Sequence, residues 1–266
     1  VCAVYIPTLD RLPILERTVP EWIKTGMPVY LVVDPMELER HIVFRNSQAW
    51  DGQVGIVPVP RNGKGIGFKR RFIVLHAELM GYASFVMADD DHKPREPGMV
   101  EELLLEAARD DVLGIGATVQ IYARFTAGAI NRLRGPILWP GGAGFSVYGL
   151  NVRNALAVGN FDSALYAFGE DAELRRNGIV HGLPWRVHAD VWVDAVNQRN
   201  SPGGFMAKFN GDQAARTSAE LACRAIIYER WPQYVSPPDK PPRMAWQRML
   251  TDYIPDWRAY SALHRM

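Results

Sequence analysis

Cysteine is scarce in this chain. Cys2 and Cys223 are the two present, far apart in 266 residues. That excludes a disulfide framework and a thiolate zinc site, and it fits a reducing compartment such as the cytoplasm. No apolar run approaches the roughly 18 residues of a membrane-spanning helix. No signal peptide is expected, because the first residues read directly as a strand. Charge of one sign is missing too: 30 Lys and Arg against 29 Asp and Glu leave a net charge of +1. A protein that binds polyanions with its whole surface is therefore disfavoured, while local basic patches stay open. There is no internal repeat and no low-complexity tract. What is there resembles an ordinary globular composition, 48% hydrophobic and 22% charged. The length suits one large domain, or a domain with an appendage.

The first half alternates apolar runs with helical patterns. Strands are expected at Val1 to Ile6, Val29 to Val33, Val54 to Val59 and Phe85 to Ala88. Helices are expected at Leu12 to Thr25, Met36 to Arg45, Phe68 to Met80 and Val100 to Ala108. Continuous apolar strands separated by helices predict a largely parallel sheet covered on both faces, with ligands beyond the strand carboxyl ends. The second half is less regular. It offers strands at Val112 to Ile121, Phe145 to Tyr148 and Trp185 to Val193, and helices from Phe168 to about Asn177 and from Asp212 to Arg230. Ser236 to Arg243 holds four prolines and reads as a stiff linker to a terminal amphipathic segment. The domain expectation is therefore 1–235 for the α/β unit and 236–266 for linker and extension.

The stretch with most chemical content is Phe85-Val86-Met87-Ala88-Asp89-Asp90-Asp91-His92. A buried strand runs into three consecutive carboxylates, which repel one another and raise one another's pKa. A solvated turn is one explanation. The position after a buried strand favours the other, a divalent cation of the hard, oxygen-loving kind, Mg²⁺ or Mn²⁺, holding a phosphate on its far side. Two further segments stand out. Gly63-Lys64-Gly65-Ile66-Gly67 opens a basic helix, and backbone amides at a helix start attract phosphate. It lacks the Gly-Lys-Ser/Thr ending of a P-loop. Gly169-Glu170-Asp171 starts another helix, where acids either favour the positive helix end or serve as a general base.

This order of motifs resembles a nucleotide-sugar glycosyltransferase of the GT-A fold, over roughly residues 1 to 195. The resemblance implies a Rossmann-like, mostly parallel sheet flanked by helices, here with a helical C-terminal extension. It implies that the loop Pro7-Thr8-Leu9-Asp10-Arg11 cradles the nucleoside and that Asp34 bonds the base. Lys64, Lys69 and Arg70 would meet base or diphosphate. Asp89 would meet the ribose, with Asp90 beside it, and Asp91 would hold the metal, with Asp89 assisting. Gly142, in Pro140-Gly141-Gly142-Ala143-Gly144, would belong to a Gly-rich floor under the sugar. Asp171 would take the acceptor proton, with Glu170 orienting the acceptor or acting instead. His188 is a candidate further metal ligand, with His181 and Asp190 as rivals. The implied cofactors are Mn²⁺ or Mg²⁺ and a nucleotide-sugar donor, expected to be a UDP-sugar.

The small size also resembles the TET-associated glycosyltransferases of viruses, which implies 5-hydroxymethylcytosine in DNA as acceptor and a host cytoplasm as location. Arg224, Arg230, Lys240, Arg243, Arg248, Arg258 and Arg265 interleave with Trp231, Tyr234, Trp246, Tyr253 and Trp257, and Arg124, Arg132 and Arg134 flank a loop before Trp139. Such sets can line a DNA surface, or equally form a packed helix with a solvated charged face. A nucleotidyltransferase, a retaining transferase with a saccharide or protein acceptor, and a non-catalytic binding module are the competing readings.

Overall fold

Among the described residues, nine strands, numbered β1 to β9 along the chain, form one sheet in the order β3-β2-β1-β4-β8-β6-β9-β5 with β7 beside β9. The computed structural model describes residues 2–61, 65–119, 136–137, 146–196, 212–241 and 243–257, with backbone alone at 119 and 137. Strands β1 (Val4–Pro7), β2 (Val29–Val33), β3 (Val54–Pro58) and β4 (Ser84–Ala88) run parallel to their neighbours within the first half. β5 is His92–Pro94, β6 Gly114–Val119, β7 Pro136–Ile137, β8 Val147–Asn151 and β9 Trp185–Ala195. β8 lies antiparallel between β4 and β6, while β6 and β9 are parallel. The parallel character expected from the first half therefore holds there, and the second half adds antiparallel strands.

Helices cover both faces. Leu15, Val19 and Trp22 of α1 (Leu12–Ile23) and Leu103 and Leu104 of α4 (Val100–Ala107) pack on one face with Val4, Ile6 and Val86. Ile73, Val74 and Ala77 of α3 (Ile66–Leu79) pack on the other with Tyr5, Phe85 and Tyr148. Between them, α2 is Leu38–Ser47. β1 and β4 are buried along their whole length, so their apolar runs do not alternate. Pro13 is tolerated in the first turn of α1, where the amide has no helical partner.

Later helices are α5 (Val152–Ala157), α6 (Glu170–Val180), α7 (Gln213–Arg230) and α8 (Trp246–Tyr253). α5 was not expected. It is six residues long, too short for a readable period, and is started by the Asn151 side chain accepting from the Asn154 amide at 2.9 Å. The Pro-rich stretch is tied to itself and to α7: Ser236 N–H donates to the Arg243 carbonyl at 3.1 Å, and Arg224 donates to the Pro237 carbonyl at 3.2 Å. Tyr234, Trp246, Met249, Leu250 and Trp257 join Ile179 of α6 in a third apolar cluster. Among the described residues, no helix is long and apolar enough to cross a membrane.

Candidate metal centre and its flanking acids

β4, paired on both sides, delivers the carboxylates at its carboxyl end, and the chain then turns sharply, with the His92 amide donating to the Asp89 carbonyl at 3.1 Å. The three acids point three ways. Asp90 turns back under the loop after β1: Thr8 Oγ1 donates to it at 2.9 Å and Arg11 Nη1 at 2.6 Å. Thr18 of α1 donates to the Asp90 carbonyl, and Trp22 Nε1 to the His92 carbonyl, both at 2.9 Å. Burial lifts the Asp90 carboxyl to about 6, against the pull of Arg11. Asp91 meets His92 Nδ1 at 2.7 Å and Arg11 Nη1 at 3.3 Å. Burial pushes its carboxyl up, but the His92 and Arg11 interactions outweigh that and hold it below the usual range. Burial would lower His92, yet its bond to Asp91 and the charges of Asp89 and Asp91 raise it. Asp89 faces Arg70 Nη2 at 2.8 Å, and 35% of its side chain still reaches solvent.

One oxygen each from Asp89 and Asp91 and one ring nitrogen of His92 lie within 4.8 Å of one another. A hard cation holds such ligands at about 2.0–2.2 Å, so small side-chain rotations close the set on one ion. Two carboxylates and an imidazole suit Mn²⁺ better than Mg²⁺. The donor set therefore fits the implied ion. His188 does not belong to this group. It sits on β9, buried, with Asp190, Glu102 and Glu106 as its charged neighbours, and burial lowers its pKa. Among the described residues, the histidine grouped with two carboxylates is His92. The signal was its adjacency to Asp91.

The other expected donor-site residues fall around the same strand ends. Pro7 closes β1, and the Thr8 amide donates to Val32 of β2 at 3.1 Å. Lys69 Nζ donates to the Thr8 carbonyl at 2.7 Å and lies 3.4 Å from Asp34. Burial lowers the Lys69 pKa, partly offset by Asp34 and Glu37. Lys64 and Gly142 lie outside the described residues, as do Trp139, Arg124, Arg132, Arg134, Arg258 and Arg265.

Gly65 and Gly67 have a packing reason. A Cβ on Gly65, whose φ is +83°, would stand 2.3 Å from the Tyr166 carbonyl oxygen, and one on Gly67 2.5 Å from that of Asp162. The Ile66 amide donates to Tyr166 at 3.2 Å. These glycines let the start of α3 press against the segment that leads into α6.

At the start of α6, Gly169 is left-handed (φ +80°), and Glu170 and Asp171 follow. Glu170 is buried, while Asp171 keeps 22% of its side chain exposed. Burial lifts Glu170 to about 7, with Arg70 opposing and Asp171 adding to the rise. Arg70 joins this helix to the metal loop. Its Nη1 lies 2.6 Å from Glu170 Oε1 and 3.5 Å from Asp171 Oδ2, while its Nη2 holds Asp89. Around the strand ends, Asp89, Asp90, Asp91, Glu170 and Asp171 thus meet Arg11, Arg70 and the His92 ring. That surplus of acid suits an added cation.

Of the C-terminal set, the aromatic rings turn largely inward, while Arg230, Lys240, Arg243 and Arg248 are exposed. Tyr234, Trp246 and Trp257 are buried, and Tyr253 is exposed. Arg230 bonds Asp162 and Glu173.

No family model and no curated protein matches the sequence. Solved structures do. The mannosyltransferase PcManGT from Pyrobaculum calidifontis, in complex with GDP-Man and Mn²⁺, matches with a TM-score of 0.62 at 14% identity, over 98% of this chain and 74% of its own. GalNAc-T7 with UDP, GalNAc and Mn²⁺ matches with a TM-score of 0.62 at 12% identity, over 99% of this chain and 58% of its own. The chain thus spans less than two thirds of GalNAc-T7. At these identities the likeness concerns the fold: the chain has the GT-A type α/β fold of these glycosyltransferases.

Proposed function

We propose that the chain is a metal-dependent glycosyltransferase that moves a sugar from a nucleotide sugar to an acceptor hydroxyl, with inversion. The observation that carries this reading is the meeting of the carboxylates after β4 with the acids of α6 around one guanidinium, on a fold shared with enzymes solved with GDP-Man or UDP and Mn²⁺. Asp89, Asp91 and His92 would hold Mn²⁺ or Mg²⁺. When bound, such an ion supplies positive charge against a departing diphosphate. Pro7, Thr8, Arg11, Asp34 and Lys69 would line the nucleotide side; the motif order assigns Lys64 to the same role and Gly142 to the sugar. Asp171 is the general base, since it combines a place at the helix start with access to solvent. It takes the proton of the acceptor hydroxyl. The acceptor oxygen bonds the anomeric carbon, the bond from that carbon to the diphosphate oxygen breaks, and the nucleoside diphosphate leaves with the electron pair.

UDP-sugars are the first donors to test, with GDP-sugars beside them because PcManGT was solved with GDP-Man. Hydroxymethylated DNA belongs in the acceptor panel as the narrower reading, although the buried Trp246 and Trp257 leave fewer aromatics for a base to stack on. The test is nucleoside diphosphate release from a donor panel with Mn²⁺, against hydroxymethylated DNA, unmodified DNA, saccharides and water, with EDTA as control. EDTA-sensitive release is expected. Release of pyrophosphate instead indicates a nucleotidyltransferase, and no release with any donor removes the reading. The anomeric configuration of the product, read by NMR, decides between inversion and retention.

A further inference from the structure

We propose that Arg70 is a positioning residue that sets the distance between the metal loop and the catalytic base, rather than a ligand of the donor diphosphate. The inference rests on the proposed roles of Asp91 and Asp171. Arg70 projects from α3, and its side chain is 5% exposed. Both terminal nitrogens are taken by carboxylates: Nη2 by Asp89 at 2.8 Å, Nη1 by Glu170 at 2.6 Å and Asp171 at 3.5 Å. Its Cζ stands 5.8 Å from the centre of the Tyr148 ring, which is itself buried on β8. The guanidinium is thus walled by a strand residue and forked between two segments about 80 residues apart in the chain. A diphosphate would have to displace carboxylates already within hydrogen-bond distance.

The fork explains the residue type. A planar guanidinium holds its N–H donors in a rigid fork, so the groups bound to its two terminal nitrogens are held relative to one another. An ammonium at the same place is a point charge that serves one carboxylate well. Positioning of this kind matters to turnover because the base must stand within hydrogen-bond reach of the attacking oxygen, and small misplacements are costly. Neighbouring contacts act in the same sense. Gly65 and Gly67 press the start of α3 onto residues 162 to 166, and the Ile66 amide is bonded there. α3 thereby holds the segment before α6 by its backbone and α6 itself by Arg70.

The test compares Arg70→Lys and Arg70→Met with the unaltered chain and with Asp171→Asn. Two quantities are read: the Kd for UDP or GDP with Mn²⁺, by calorimetry, and kcat and KM for hydrolysis of the donor that releases diphosphate in the panel above. Water then stands in for the acceptor and needs the same base. For Arg70→Lys, whose ammonium keeps the ion pair with Asp89 but not the fork to Glu170 and Asp171, we expect nucleotide Kd and donor KM within threefold of the unaltered chain and kcat down at least tenfold. Arg70→Met should lose more of kcat. A crystal structure of Arg70→Lys should show the Glu170 and Asp171 carboxylates displaced from Asp89 by more than 1 Å. The inference is overturned if Kd or KM rises tenfold with kcat kept, which is the signature of a diphosphate ligand. It is overturned equally if Arg70→Lys keeps full kcat, or if its first turn of α6 stays in place. Asp171→Asn separates this from the functional reading: unchanged hydrolysis in that variant removes the base assignment itself. Loss there with full activity in Arg70→Lys removes only the role of Arg70.

Discussion

Two buried ionic clusters lie one turn apart on α6, and they are built on opposite principles. At the first turn, Asp89, Glu170 and Asp171 crowd one guanidinium, with Asp89 and Asp171 partly open to solvent. At the next turn, the Glu173 carboxylate, 2% exposed, accepts from Arg176 Nε at 3.0 Å, Arg230 Nη1 at 3.1 Å and Trp231 Nε1 at 3.0 Å. Arg175 and Arg176 then face the Trp246 ring, with Cζ 4.1 and 5.8 Å from its centre. The first cluster has more acid than base and an opening. The second has more donors than acceptors; its Glu173 carboxylate is buried, while Arg230 at its rim is 41% exposed. Burial does not distinguish them. The sign of the charge left over does: an excess of acid suits an incoming cation, and an excess of donors braces the helix.

The comparison is broken most forcefully at Asp91. Asp91→Ala should cost more than the roughly 10–100-fold in metal affinity typical of losing an outer partner. Mn²⁺-dependent binding of UDP or GDP should fall with it, as measured by calorimetric titration with and without the ion. Unchanged binding would mean that the first cluster is a salt-bridge network and nothing more. Next comes Glu173→Gln, which leaves Arg176 and Arg230 without their shared anion. Removing one partner of a buried pair costs about 3–5 kcal/mol, so the urea midpoint should drop markedly while nucleotide affinity per folded molecule is kept.

The smallest effect concerns Glu170. Its carboxyl is raised by burial to about 7 in the folded chain, from an ordinary value of 4.5. Between those two pH values the folded chain holds the proton more tightly than the unfolded chain does. Stability is therefore lost as pH rises through that window. Glu170→Gln should flatten this slope by roughly 1 kcal/mol or more between pH 5 and 8, because a shift of one pKa unit is about 1.4 kcal/mol. Urea midpoints at several pH values would show it, and an unaltered slope would place the titration elsewhere.

The first half of the fold was legible because its strands are buried on both faces and read as unbroken apolar runs. Val29–Val33 falls where the sequence placed it, and β4 within one residue. α5 escaped because a six-residue helix has no period to read. At the site, the triplet announced itself by charge, since three adjacent carboxylates are hard to explain without a partner. The pairing of Arg70 with Glu170 did not, because nothing local links residues 100 positions apart. The glycines of the 63–67 segment were visible but suggested phosphate. The backbone of residues 162 to 166, which explains Gly65 and Gly67, becomes their neighbour only in the fold.

Asp90 has a consequence for how the site comes into being. Thr8, Arg11 and Thr18 all donate to it, across 72 to 82 residues of sequence. Contacts of that range form only after the chain between them has been gathered. The loop after β1 therefore gains its full set of bonds only when β4 lies beside β1. The same event sets Asp89 and Asp91 in place. The proposed nucleotide loop and the proposed metal ligands thus hang on one set of contacts, so a change that breaks it disturbs both.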